Sequence, residues 1–231
     1  MKRYLRLAYY EVFKVQPFLL LALAVCTLVT LFLTLDGGFE VSERQTYIMF
    51  CLGVFFPLVI ALLTNNGLLK EKEGRTAIFV STRVNLAVLW LRRLLLAFLA
   101  LAVYLAALFA FMNGLIPGLF PPIMALTLLV PALFFSAIMA LVSALNCSAT
   151  TGAIAGIFVW ALLYFYAPSI YYRLSPKYFP FLEWAIYFKL KAPISALPVN
   201  KIFYIVVCLI FLAITYYLYL SRSRVERFSR Q

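Results

Sequence analysis

The 79 residues from Leu94 to Tyr172 contain no Asp, Glu, Lys or Arg. One helix cannot use that length, because a bilayer crossing takes ~20 apolar residues. Turn residues divide the stretch twice: Asn113-Gly114, Pro117-Gly118 and Pro121-Pro122 form one break, and Asn146 to Gly152 (NCSATTG) the other. The pieces, 94–112, 123–145 and 153–172, are each long enough to cross.

The flanking sequence follows the same pattern. Apolar runs lie at 17–35, 47–69 and 202–221, bounded by Lys14 and Asp36, by Arg44 and Lys70, and by Lys201 and Arg222. Leu33-Thr34-Leu35 lacks the small-residue pattern of a cleavage site, so the first run reads as a retained span. Ahead of it Arg3, Arg6, Tyr10 and Lys14 recur at helical spacing, opposite Leu5, Ala8, Tyr9, Val12 and Phe13. Residues 1–14 are therefore expected to form an amphipathic interfacial helix, the alternative being an ordinary frayed basic N-terminus.

Composition agrees. At 66% hydrophobic and 12% charged, with mean hydropathy +1.01, the 231-residue chain has far more apolar side chains than a soluble core of that size can hide. The expected fold is all-α: one polytopic transmembrane domain over residues 1–231, with six transmembrane helices and a short helix lying under the membrane between spans two and three. A loop with Pro168, Pro176, Pro180, Pro193 and Pro198 follows span five, and its patch from Tyr178 to Phe188 reads as interfacial or re-entrant.

The net charge of +12 does not point to nucleic acid, because Lys and Arg gather at the ends of apolar runs, where cytoplasmic anchors and anionic headgroups meet. With both termini inside, cytoplasmic segments carry 14 of the 20 basic residues. Placing the loop after span five inside and the tail outside gives 15, so charge alone leaves both arrangements open. Length favours three crossings in the uncharged stretch, and hence six spans with both termini cytoplasmic.

Catalytic chemistry finds no footing. There is no histidine, and the four cysteines, Cys26, Cys51, Cys147 and Cys208, form no C-x-x-C pair. All eight acids fall outside the expected spans, and no G-x-x-x-x-G-K-[ST] is present. The chain is thus expected to be no enzyme and to hold no metal or cofactor. Asn65, Asn66, Ser136 and Ser143 are candidates for a substrate pathway, although small polar residues in membrane helices more often serve packing.

The densest charge run is Lys70-Glu71-Lys72-Glu73-Gly74-Arg75-Thr76, followed by Ala77 to Val80, Ser81-Thr82 and Arg83, and then Arg92-Arg93. Mixed sign, a glycine and a short apolar-polar continuation suit a helix under the membrane that docks in a partner's groove. The segment resembles the membrane subunits of ABC-2 type ABC transporters. In that family an E-x-E-x-G-T-like stretch follows span two, then an apolar run, a small polar pair and a basic residue opening span three. Glu71, Glu73, Gly74 and Thr76 match the first part, Ser81-Thr82 the pair, and Arg92/Arg93 the basic position. Arg75 stands between the glycine and the threonine, and the proline common after the apolar run is absent.

The resemblance implies a permease subunit of a bacterial plasma membrane, exporting an amphipathic or hydrophobic substrate. It also implies that the short helix between spans two and three is a cytoplasmic coupling helix, with an ATPase-coupling interface at Glu71, Glu73, Gly74, Arg75, Thr76, Ser81 and Thr82. An ABC-type ATPase subunit would bind ATP and Mg, and a second permease subunit would complete the pathway. An ion-coupled secondary carrier and a non-transporting assembly or immunity protein are the competing readings. A carrier usually needs ionisable groups near the midplane, which the expected spans lack.

Overall fold

A computed structural model describes residues 17–35, 38, 40, 43, 47, 48, 50–66, 86–117, 119, 123–146, 148–166 and 197–228. The expected interfacial helix 1–14 and the charged segment 70–83 lie outside the described residues, as does the aromatic loop patch 178–188. Among the described residues the chain is all-helical: α1 Pro17–Leu35, a π-helical turn Cys51–Phe55 running into α2 Phe56–Asn66, α3 Leu86–Leu115, α4 Ile123–Asn146, α5 Ala149–Phe165 and α6 Leu197–Phe228.

Among the described residues, three stretches are long and apolar enough to cross a membrane: Trp90–Leu115, Leu128–Asn146 and Val199–Ser221. The apolar helical stretches Leu21–Leu35, Cys51–Asn65 and Ala149–Phe165 are shorter. The surface is inverted relative to a soluble protein. Leu21, Val25, Leu28 and Phe32 form an exposed stripe on α1, and Leu95, Leu99 and Val103 one on α3. Contiguous apolar surface on this scale needs a lipid or protein partner.

Helix α4 is the centre. It packs on α2, α5 and α6 and more lightly on α3, while α1 lies against the π turn, α2 and α3. In the 128–146 stretch an 18-residue apolar window is 61% buried, against 17% for one in 199–221, so α4 meets protein on most sides and α6 is peripheral. One core joins Ile48, Leu52, Phe56, Leu105 and Met112; a second joins Val54, Phe135, Met139 and Cys208.

Several boundaries differ from the sequence reading, each for a physical reason. Helix α3 starts at Leu86, ahead of Arg92 and Arg93, because a long basic side chain can sit on a helix and extend its charge toward the interface. It also runs through Asn113-Gly114, and the N–H of Ile116 still reaches the Met112 carbonyl at 2.9 Å. Helix α5 begins at Ala149 rather than 153. Ser148 is extended (φ −137°, ψ 121°) and its Oγ accepts the Thr151 N–H at 3.3 Å, so the turn after α4 closes in very few residues. Helix α6 starts at Leu197, which puts Lys201 inside the helix instead of before it.

The second apolar segment is not a plain α-helix. Pro57 has no N–H to offer the Gly53 carbonyl, and its ring crowds that carbonyl. The turn before it widens to π geometry, with the Phe56 N–H bonded to the Cys51 carbonyl.

Candidate functional site

Small hydroxyls in α1 show how polar groups are handled here. Thr27, Thr30 and Thr34 donate to the carbonyls four residues back at 2.7, 2.7 and 2.8 Å. With its only proton so used, Thr27 can only accept from the Tyr104 hydroxyl, which ties α1 to α3. The Tyr104 ring stacks on Phe56 at 5.8 Å.

The same logic builds a polar seam between α2 and α4. Thr64 Oγ1 donates to the Ala61 carbonyl at 2.9 Å and so accepts from Ser136 Oγ at 3.0 Å. Next to it, Asn65 Nδ2 donates to the Ala149 carbonyl at 2.9 Å, and Asn65 Oδ1 accepts from Ser143 Oγ at 2.8 Å. Asn65, Ser136 and Ser143 are all buried. Of the four pathway candidates, Asn65 and Ser143 are therefore in direct contact, Ser136 joins through Thr64, and the Asn66 side chain lies outside the described residues. Glu71, Glu73, Gly74, Arg75, Thr76, Ser81 and Thr82 lie outside them too.

The seam extends into the α4–α5 hairpin. A Cβ on Gly152 would collide with Ser143 Oγ and the Met139 carbonyl, and one on Gly156 with the Met139 side chain. The sequence Gly152-Ala-Ile-Ala-Gly156 is a small-xxx-small pattern, a signal for close helix approach in membranes that the sequence reading passed over. Asn65 thus fixes the last turn of α2 to both arms of the hairpin, at Ser143 on α4 and Ala149 on α5.

The widened turn is tied to the same hairpin. Trp160 Nε1 on α5 donates to the Val54 carbonyl at 2.8 Å, and its ring stacks on Tyr164 at 5.5 Å. Neither partner stands out in the sequence, because the π turn that presents the carbonyl follows from Pro57 only once the helix is known to continue.

The chemistry available is hydrogen bonding and shape. Among the described residues no group of three His, Cys, Asp or Glu side chains could hold a metal ion. Lys201 is the one buried charged side chain among the described residues, at 8% exposure in the first turns of α6, beside buried Asn200. The apolar stretch Val199–Ser221 thus includes a charge that lies just outside the expected span 202–221. Compared with models of known families, with characterised proteins and with solved structures, the chain matches none.

Proposed function

We propose that the chain is the membrane-spanning permease subunit of an ABC-2 type transporter. In this reading it crosses a bacterial plasma membrane six times with both termini cytoplasmic, and exports an amphipathic or hydrophobic substrate. An ABC-type ATPase subunit holding ATP and Mg supplies the work, and a second permease subunit completes the pathway.

One observation carries the reading: Asn65 bonds to both arms of the α4–α5 hairpin, and the Lys70–Thr76 charge run begins five residues later. A push delivered to that segment from the cytoplasm would meet, at Asn65, a joint hydrogen-bonded to both arms of the hairpin. Glu71, Glu73, Gly74, Arg75, Thr76, Ser81 and Thr82 form the docking surface, where mixed charge gives a partner register and specificity. Substrate contact by Asn65, Asn66, Ser136 and Ser143 requires the α2–α4 seam to open, since Asn65, Ser136 and Ser143 bond within that seam in the closed arrangement.

The test is Glu71→Lys combined with Glu73→Lys in a chain co-expressed with a candidate ABC-type ATPase subunit, one that carries the G-x-x-x-x-G-K-[ST] motif. The variant should lose co-purification or hydrolyse ATP without transport. The loss is about 2–5 kcal/mol for each charge pair desolvated on docking, and less at a rim. Unchanged assembly together with unchanged coupling would refute the docking role. A carrier is the second reading, favoured by the buried Lys201.

A further inference from the structure

Helices α3, α4 and α6 leave an open groove of about 730 Å³, lined almost wholly by apolar side chains that include Leu91, Leu95 and Phe98 of α3, Leu133 of α4, and Leu209 and Tyr216 of α6. We infer that this groove holds an acyl chain of an anionic phospholipid, with the lipid phosphate set against Arg92.

Length and charge select that occupant. From Ile205 to Tyr216 the α6 wall runs about 16 Å at ~1.5 Å per residue. Half of a ~30 Å hydrocarbon core is about 15 Å, so the groove matches one leaflet and not a whole bilayer. A helix of a second subunit crossing the membrane here would run past it.

The groove ends where an interface belongs. Trp90 and Tyr219 meet across α3 and α6 with ring centroids 5.8 Å apart, and Tyr216 packs in the same cluster. Trp and Tyr concentrate at headgroup level. Arg92 is exposed and sits one turn before the groove residue Leu95, on the same flank of α3. Arg93 follows it, and Arg222 and Arg224 occupy the α6 positions just past Tyr219. At the other end, the α3 and α6 residues beyond Phe98 and before Ile205 carry no charge until Lys201. An apolar slot one leaflet long, with exposed Arg92 at one mouth, fits a tail and an anionic headgroup. A zwitterionic lipid brings the same phosphate together with a quaternary ammonium, so its headgroup does not neutralise the cationic mouth. The inference does not depend on an ATPase partner.

The full chain, purified in mild detergent, is titrated with phosphatidylglycerol or with phosphatidylcholine of the same acyl chains and followed by native mass spectrometry. Phosphatidylglycerol should be retained at lower concentration. Arg92→Gln should cut that preference about fivefold, the effect of one basic side chain at an anionic surface, and leave phosphatidylcholine unchanged. Leu209→Trp fills the groove and should reduce retention of both lipids, with Ala213→Leu as a smaller filler should the first fail to fold. Val103→Trp, on the exposed stripe of α3 outside the groove, should change neither. Equal retention of the two lipids, or a preference untouched by Arg92→Gln, overturns the inference. So does a groove-filling variant that keeps its lipid but changes from two chains to one, which would make the occupant a second copy.

Discussion

At the scale of the residue, the α2–α4–α5 joint rests on Asn65 and Gly152. Asn65→Leu removes a donor and an acceptor together, leaving Ser143 Oγ and the Ala149 carbonyl to find other partners. Interhelical hydrogen bonds in membrane proteins average about 0.6 kcal/mol, and a buried group left unsatisfied costs about 1–3 kcal/mol. The expected loss is therefore about 1–2 kcal/mol, read as an earlier transition in a denaturing-detergent titration. Gly152→Ala should cost more, about 1–3 kcal/mol, because the obstructing Met139 carbonyl is backbone and the two helices must part. Gly114→Ala is the control: no atom lies within 4 Å of the added methyl, and the change should be neutral or slightly stabilising. Equal effects of the two glycine substitutions would contradict the close approach. Asn65, Ser136 and Ser143 were legible in the sequence as polar positions in apolar surroundings, but not as partners. Hydrogen bonding between side chains 78 positions apart depends on the helix pairing, which no local pattern encodes.

At the scale of the element, apolar length placed the helices well and misplaced their ends. Helix α1 covers the apolar run 17–35, and α4 reaches Asn146, one residue past the apolar piece 123–145. The helices run past the charged or polar residues that bound the apolar runs, as at Arg92-Arg93, at Ala149-Thr150-Thr151 and at Lys201. Hydropathy records what a position prefers to face, whereas a helix ends where its backbone bonds find no successor. The π turn escaped for a related reason, since Pro57 removes one donor without ending the helix. Trp160→Phe deletes the 2.8 Å bond to Val54 while keeping an aromatic ring, and should cost about 0.5–1.5 kcal/mol. The penalty should shrink in a Pro57→Ala background, where a restored N–H lets the turn tighten and draws the Val54 carbonyl into the regular ladder. A double-mutant cycle on the same detergent titration measures this, and a penalty independent of residue 57 would separate the turn from its tryptophan.

At the scale of the whole molecule, the proposed permease and the alternative carrier differ in where the work of transport would enter. A charge at the bilayer centre costs about 2.5–3.5 kcal/mol on insertion scales, so chains keep one there mainly for binding or relay. The described part of the protein buries a single charged side chain, Lys201. It sits in the first turns of α6, at the end opposite Arg222 and Arg224, near one end of the apolar stretch Val199–Ser221 and not in its middle. Its neighbours Val199, Ile202 and Phe203 are apolar and exposed, which suits a lysine anchored near an interface with its stem along the helix. A proton-driven carrier would need Lys201 to gain and lose its proton in each cycle. A permease driven from outside the membrane needs it only to stay in place. Reconstituted transport should therefore require ATP and the ATPase subunit, and should survive collapse of the proton and sodium gradients. Lys201→Arg, which keeps the charge but cannot deprotonate near neutral pH, should retain ATP-driven transport with an unshifted pH profile. Gradient-driven transport by the chain alone, abolished by Lys201→Arg, would assign the work to Lys201 and replace the permease reading with a carrier.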